Sequence, residues 1–139
     1  CGFKVVKLSE LNSFYINEID TEGDKRVSYE IRNNLVSMTK NPEKKLINLK
    51  LNSNKTKTIK EKNIKNEITK YEINIAVKIT TYDRRYDIIH QFTETGKVSY
   101  SVSNQHSKTL SNEKKQTKIL SKRISERILN ELRDISNDF

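Results

Sequence analysis

The sequence predicts an α+β protein: a two-layer sandwich in the order β-α-β-β-β-α, with a four-stranded mixed sheet and two helices packed on one face. Three observations predict it. Tyr71, Ile73, Ile75, Val77 and Ile79 alternate with more polar residues over a long stretch, the period of a strand with one buried face. Val27, Ile31 and Leu35 recur every fourth residue, as do Leu120, Ile124, Ile128 and Leu132, and these are the stripes of two amphipathic helices. Each strand-like segment shows a single apolar face, so both helices cover the same side of the sheet and the other side stays polar.

The first element is FYINEI, Phe14 to Ile19, with the aromatic and β-branched content of a strand. It stops at TEGD, where Gly23 supplies a turn and Asp24 a helix N-cap. The first helix carries Val27, Ile31 and Leu35 and ends at Asn41 and Pro42, because a residue before proline is pushed out of the α region. In LINLKL, Ile47, Leu49 and Leu51 alternate against Asn48 and Lys50, a second strand. Asn52 to Lys65 is almost wholly polar and dense in lysine, and reads as the far end of that strand running into an exposed, mobile hairpin tip. The long third strand follows, and YDRRY turns the chain.

Tyr86, Ile88, His90 and Phe92 then alternate on even positions. Gly96 is expected to interrupt this fourth strand with a bulge before Val98, Tyr100 and Val102 resume. After a polar loop, Ser111 is placed to cap the final helix, whose face away from the apolar stripe bears Lys114, Lys118, Lys122 and Arg127. The last three strands form an antiparallel meander, and the first joins through the helix as a crossover. The reading is one domain, 14–136, behind an amino-terminal tether, 1–13.

Composition bounds the chemistry. The 139 residues carry a formal net charge of +9, with an isoelectric point near 9.6, which favours an anionic partner such as nucleic acid or acidic lipid. The joint richness in Lys, Asn and Ile also follows from an AT-rich genome, so the placement of charges weighs more than their sum. One cysteine excludes an intramolecular disulfide, and two histidines speak against a zinc site of the usual spacing. His90 falls in an apolar strand series and reads as a core or half-buried residue, while His106 reads as a surface-loop residue with no aspartate close in sequence. Asp83, Arg84 and Arg85 read as turn chemistry. The three glycines form no phosphate-binding pattern. The expectation is a protein without enzymatic activity, cofactor or metal.

A basic domain of this topology has an RNA-binding alternative. Such sheets stack bases on outward aromatics. Here Tyr71, Tyr86, Phe92 and Tyr100 fall in the series expected to face the helices, which argues against nucleic acid as a partner.

The lone cysteine is Cys1, followed by Gly2 and a polar stretch, KLSELNS. This is the arrangement of a mature bacterial lipoprotein, in which the thiol carries diacylglycerol and the amino terminus is acylated after removal of a signal peptide. Each buried methylene contributes about 0.8 kcal/mol, so two or three acyl chains make the anchor effectively permanent. Gly2 in place of an aspartate fits forwarding to the outer membrane. The expectation is lipidation at Cys1 on the periplasmic face of the outer membrane.

With these features in hand, the chain resembles the LPS-assembly lipoprotein family LptE. The resemblance is carried by CGF at residue one and FYINEIDTEGD with its Gly-Asp turn. It continues through RVSYEIRNNL, with its Arg-Asn-x-Leu helix ending, then TKYEINIAVKITTYD and SKRISERILNEL. It implies a two-helix, four-stranded sandwich that sits inside the β-barrel protein LptD as a plug and assembly aid and that binds lipopolysaccharide. Mean hydropathy of −0.82 suits a hydrophilic lumen. The hairpin-tip lysines Lys60, Lys62 and Lys65, with Lys108 of the loop before the last helix, are the residues expected to meet LPS phosphates.

Overall fold

The structure, a computed structural model, describes residues 14–38 and 45–135. Cys1, the 1–13 tether, Asn41 and Pro42 lie outside the described residues. The elements are β1 (Phe14–Gly23), α1 (Lys25–Met38), β2 (Lys45–Lys62), β3 (Ile68–Tyr82), β4 (Ile88–Ser101) and α2 (His106–Ile135). They form a four-stranded mixed sheet in the order β1-β2-β3-β4. β1 pairs parallel with β2 across the α1 crossover, and β2, β3 and β4 run antiparallel. The predicted fold class and topology are the observed ones.

Local chemistry explains the first corner. Gly23 ends β1 at φ +88°, and a Cβ there would run into the Ser53 carbonyl oxygen, so the position demands glycine for both conformation and space. Asp24 then caps α1 as expected: the Val27 N–H donates to Asp24 Oδ1 at 2.9 Å. The two hairpins share one design. Asn63 Oδ1 accepts from the N–H groups of Lys65 (2.9 Å) and Glu67 (3.0 Å). Asp83 Oδ1 accepts from those of Arg85 (2.8 Å) and Asp87 (3.0 Å). Each turn holds one left-handed residue, Asn66 in the first and Tyr86 in the second.

The core lies between the sheet and the helices. Val27, Ile31 and Leu35 of α1 and Leu120, Ile124, Ile128 and Leu132 of α2 pack on Leu49, Leu51, Ile73, Ile75, Val77 and Ile79. Small residues let the two helices approach: Ser125 Oγ donates to the Ser121 carbonyl at 2.8 Å and accepts from Asn34 Nδ2 at 3.3 Å. Burying a side chain of Leu or Ile size contributes about 1.5–3 kcal/mol, so the two stripes and the sheet residues they meet together drive the sandwich closed.

Four expectations are corrected. β2 does not dissolve at Asn52 but pairs with β3 as far as Lys62↔Ile68, so the tip shrinks to residues 63–67. Gly96 makes no bulge: it pairs with Ile75 in a ladder that keeps its register from Lys70↔Ser101 to Thr81↔His90, and its missing side chain leaves room for α2, since a Cβ there would stand 2.7 Å from Leu120 Cδ1. Tyr86 and Ile88 do not face the helices. The turn takes Tyr86, the ladder shifts register between Thr81 and Tyr82, and both residues are exposed. The last helix begins at His106, well before Ser111, because Thr109 Oγ1 reaches back to accept the Ser103 N–H at 2.8 Å and so closes an earlier first turn.

Candidate functional site

The two helices leave the second face of the sheet uncovered. Over the centre of the sheet the outward series is Asn52, Asn54 and Thr56 on β2, Asn74, Ala76 and Lys78 on β3, and Thr93, Thr95 and Lys97 on β4. Amides and hydroxyls dominate it, groups that donate and accept equally well. A shallow groove of about 550 Å³ runs over its centre, lined by Asn54, Thr56, Asn74, Thr95, Lys97 and Arg127. Arg127 reaches it from α2 around the sheet edge, its Nη1 donating to the Thr95 carbonyl at 2.9 Å. That bond occupies an otherwise free acceptor of edge strand β4, a device that blunts edge-to-edge pairing.

Toward β1 the same face turns acidic. Glu18, Asp20 and Glu22 line a second groove of about 440 Å³ with Lys50, Tyr82 and Tyr86. Lys50 Nζ stands 3.0 Å from Glu22 Oε1, and hydrogen bonding to that carboxylate, then its charge, raises the ammonium above its usual pKa. The Tyr86 hydroxyl donates to Glu18 Oε2 at 3.2 Å, and the charge of Glu18 pushes the phenol upward.

At the opposite end of the sheet, on the helix side, a third cluster gathers at a cavity of about 250 Å³. Lys57 Nζ sits 3.3 Å from Glu113 Oε1 and 4.3 Å from the centre of the Tyr71 ring, which stacks on Tyr100 at 5.7 Å. The Tyr100 hydroxyl donates to Glu113 Oε1 at 3.1 Å. Burial alone would raise the Glu113 carboxyl. The hydrogen bonds from Lys57 and Tyr100, with the Lys57 charge, outweigh it and hold the group below the usual carboxylate range. Lys57 is raised, first by the Tyr100 hydroxyl and, against partial burial, by Glu113; Tyr100 is raised, chiefly by burial. All three partners are internally satisfied, which makes the cluster a clasp between β2, β4 and α2.

The four lysines expected from the sequence to meet LPS phosphates fall at this same end of the sheet, where the Val102 N–H bonds the Thr69 carbonyl at 2.9 Å and brings the start of α2 beside the start of β3. Lys60 and Lys62 are strand residues, Lys65 lies in the 63–67 turn, and Lys108 belongs to the first turn of α2 and not to a loop. Lys60 is partly committed, its Nζ 3.3 Å from Glu72 Oε2. Lys62, Lys65 and Lys108 make no ion pair among the described residues. His90 is half-buried beside Phe92, and His106 is exposed.

Sequence reasoning missed the Lys57 clasp. The inward series Ile47, Leu49, Leu51 continues in phase through Ser53 and Lys55 to Lys57, and Tyr71 faces Tyr100 across the ladder, so the signal was a period-two count carried past the last apolar residue. No cluster of three or more His, Cys, Asp or Glu able to hold a metal occurs among the described residues. None of the described helices is long and apolar enough to cross a membrane.

No protein-family model matches the sequence, and no curated protein matches it. Solved structures do match the fold. A provisionally assigned lipoprotein from Caulobacter crescentus superposes with a TM-score of 0.65 at 15% identity, covering 94% of each chain. Rare lipoprotein B from Shewanella oneidensis gives 0.64 at 12% identity, over 88% of this chain and 98% of that one. A minor lipoprotein from Acinetobacter baumannii gives 0.62 at 13% identity, over 86% and 92%. The chain has the fold seen in these bacterial lipoproteins, nearly end to end.

Proposed function

We propose that the chain is an outer-membrane lipoprotein of the LptE kind, anchored on the periplasmic side through acyl chains on Cys1. In this reading it plugs the polar lumen of an LptD-type β-barrel and assists the barrel's assembly. The observation that carries it is the open sheet face. An antiparallel sheet can leave one face to water, and that face is then polar. Here Asn52, Asn54, Thr56, Asn74, Thr93 and Thr95 present neutral groups able to match a hydrophilic wall hydrogen bond for hydrogen bond. The fold shared with bacterial lipoproteins supports the same reading. The role is binding and not catalysis. Lipopolysaccharide enters at the sheet end, where Lys62, Lys65 and Lys108 are free and Lys60 is half-committed to Glu72.

An RNA-binding domain fits less well. On the sheet face Tyr82 and Tyr86 stand among Glu18, Asp20 and Glu22, which repel a phosphate backbone, and the exposed Tyr29 stands apart from them on α1. The test is isolation of the protein from outer membranes with mass spectrometry of the intact chain and of whatever copurifies. The reading expects an acylated mass, absent from a Cys1→Ala variant, and one large β-barrel in equal amount. A bare polypeptide mass, or no barrel, overturns it.

A further inference from the structure

We propose that the exposed side of α2 is a docking surface for an anionic phospholipid bilayer. It bears Lys108, Lys114, Lys115, Lys118, Lys122 and Arg123, all exposed, and none pairs with a carboxylate among the described residues. The contrast with the sheet is what lifts this above compositional bias. There Lys50, Lys57, Lys60 and Lys70 each lie within 4.0 Å of a glutamate while Lys55, Lys62, Lys78 and Lys97 do not, so half of these sheet lysines pair and none of the six helix cations does. The one acid in the same part of α2, Glu113, is drawn inward by Lys57 and Tyr100 and neutralises nothing outside.

The spacing has a shape. Lys108, Lys115 and Lys122 stand seven residues apart, a step that drifts only about 20° around the helix and advances about 10 Å along it. They form a straight row, with Lys118 one turn from both Lys115 and Lys122. A row of flexible ammonium groups suits a plane of headgroup phosphates, and no aromatic side chain joins it to stack on a base. Lys108 lies in the first turn of the helix, which holds no acid. The helix dipole disfavours a cation at that one position, and an anionic surface would offset the cost.

The inference rests on the membrane-anchored reading and deepens it. The acidic series Glu18, Asp20 and Glu22 lies on the opposite face of the sheet. An anionic surface therefore attracts the helix layer and repels the β1 edge. The anchored domain lies with α2 on the lipid and its polar sheet face outward, free to receive a barrel.

The experiment uses the full chain carrying Cys1→Ala, so that acylation contributes nothing. Cosedimentation is measured with vesicles of phosphatidylcholine alone and of phosphatidylcholine with phosphatidylglycerol. Binding is expected only with the anionic lipid, and it should vanish as salt shortens the screening length from about 10 Å to about 3 Å. Lys115→Glu/Lys118→Glu/Lys122→Glu should weaken it by at least about 100-fold, since losing each lysine costs roughly fivefold near an anionic surface and each new carboxylate is repelled as well. Lys60→Glu/Lys62→Glu/Lys65→Glu, checked like the first variant for an unchanged circular dichroism spectrum, should lose no more than a small part of that. Equal binding to both vesicles, equal losses in the two variants, or tighter capture of a single-stranded RNA than of anionic vesicles overturns the inference. Barrel copurification fails or succeeds separately, so the two readings fall independently.

Discussion

Gly96 offers the sharpest contest between a local and a tertiary explanation. A glycine inside a strand costs about 0.5–1 kcal/mol relative to alanine, so strand propensity alone says that Gly96→Ala stabilises the protein. The packing says the reverse. The new Cβ would lie 2.7 Å from Leu120 Cδ1 and 3.6 Å from Ile124 Cδ1, and both side chains are fully buried. Overpacking of this kind costs about 1–3 kcal/mol, which exceeds the backbone gain. The expected net effect is a loss of about 1–2 kcal/mol, read from urea unfolding followed by circular dichroism. Gly96→Val should cost more. Leu120→Ala alone should cost about 2–5 kcal/mol, yet in that background Gly96→Ala should become neutral or stabilising, because the clash is gone. If Gly96→Ala stabilises the otherwise unaltered protein, the close seating of α2 on β4 is wrong.

Three further outcomes follow from the same structure. Asp24→Ala removes the cap from α1 and should cost about 1 kcal/mol in the same assay, with Asp24→Ser restoring most of it. Glu113 has a depressed folded-state pKa, so its contribution to stability is complete above the ordinary carboxylate range and is lost as pH falls through the folded value. Glu113→Gln should therefore flatten the fall in stability below about pH 4.5, and an unchanged acid profile would remove the clasp from consideration. Replacing Lys60, Lys62, Lys65 and Lys108 by glutamine should weaken lipopolysaccharide binding and flatten its salt dependence, measured by titration of a variant that still folds; unchanged affinity would mean that these lysines are only solvated charge.

Much of the fold was legible because apolar residues carried its period. Ile73, Ile75, Val77 and Ile79 marked β3, Leu120 to Leu132 marked α2, and Gly23 with Asp24 marked the first corner. Failures came where hydrogen bonding and neighbours decide without apolar residues. Past Ser53, β2 has little left to bury, and its ladder persists because β3 supplies partners such as Tyr71 for Ile59 and Ile73 for Lys57. At Gly96 a bulge and a helix contact leave the same mark in a sequence, a missing side chain. Tyr86 kept the even phase by coincidence, since the turn that Asp83 organises needs a left-handed residue at that place. The polar sheet face could be read from alternation. The inward placement of Lys57 beside Tyr71 and Tyr100 could be counted the same way, but its pairing with Glu113 could not, because that depends on how α2 seats against a strand far away in sequence.

The plug reading makes the open sheet face the surface that meets a barrel. Photoreactive residues placed at Asn54 and Thr93 on that face, and at Ser111 on α2, test this in living cells. Both sheet positions should crosslink to one large outer-membrane β-barrel protein. Ser111 should give that product weakly or not at all. Crosslinks to RNA, or no barrel adduct from either sheet position while the protein is present at normal levels, would contradict the proposed function.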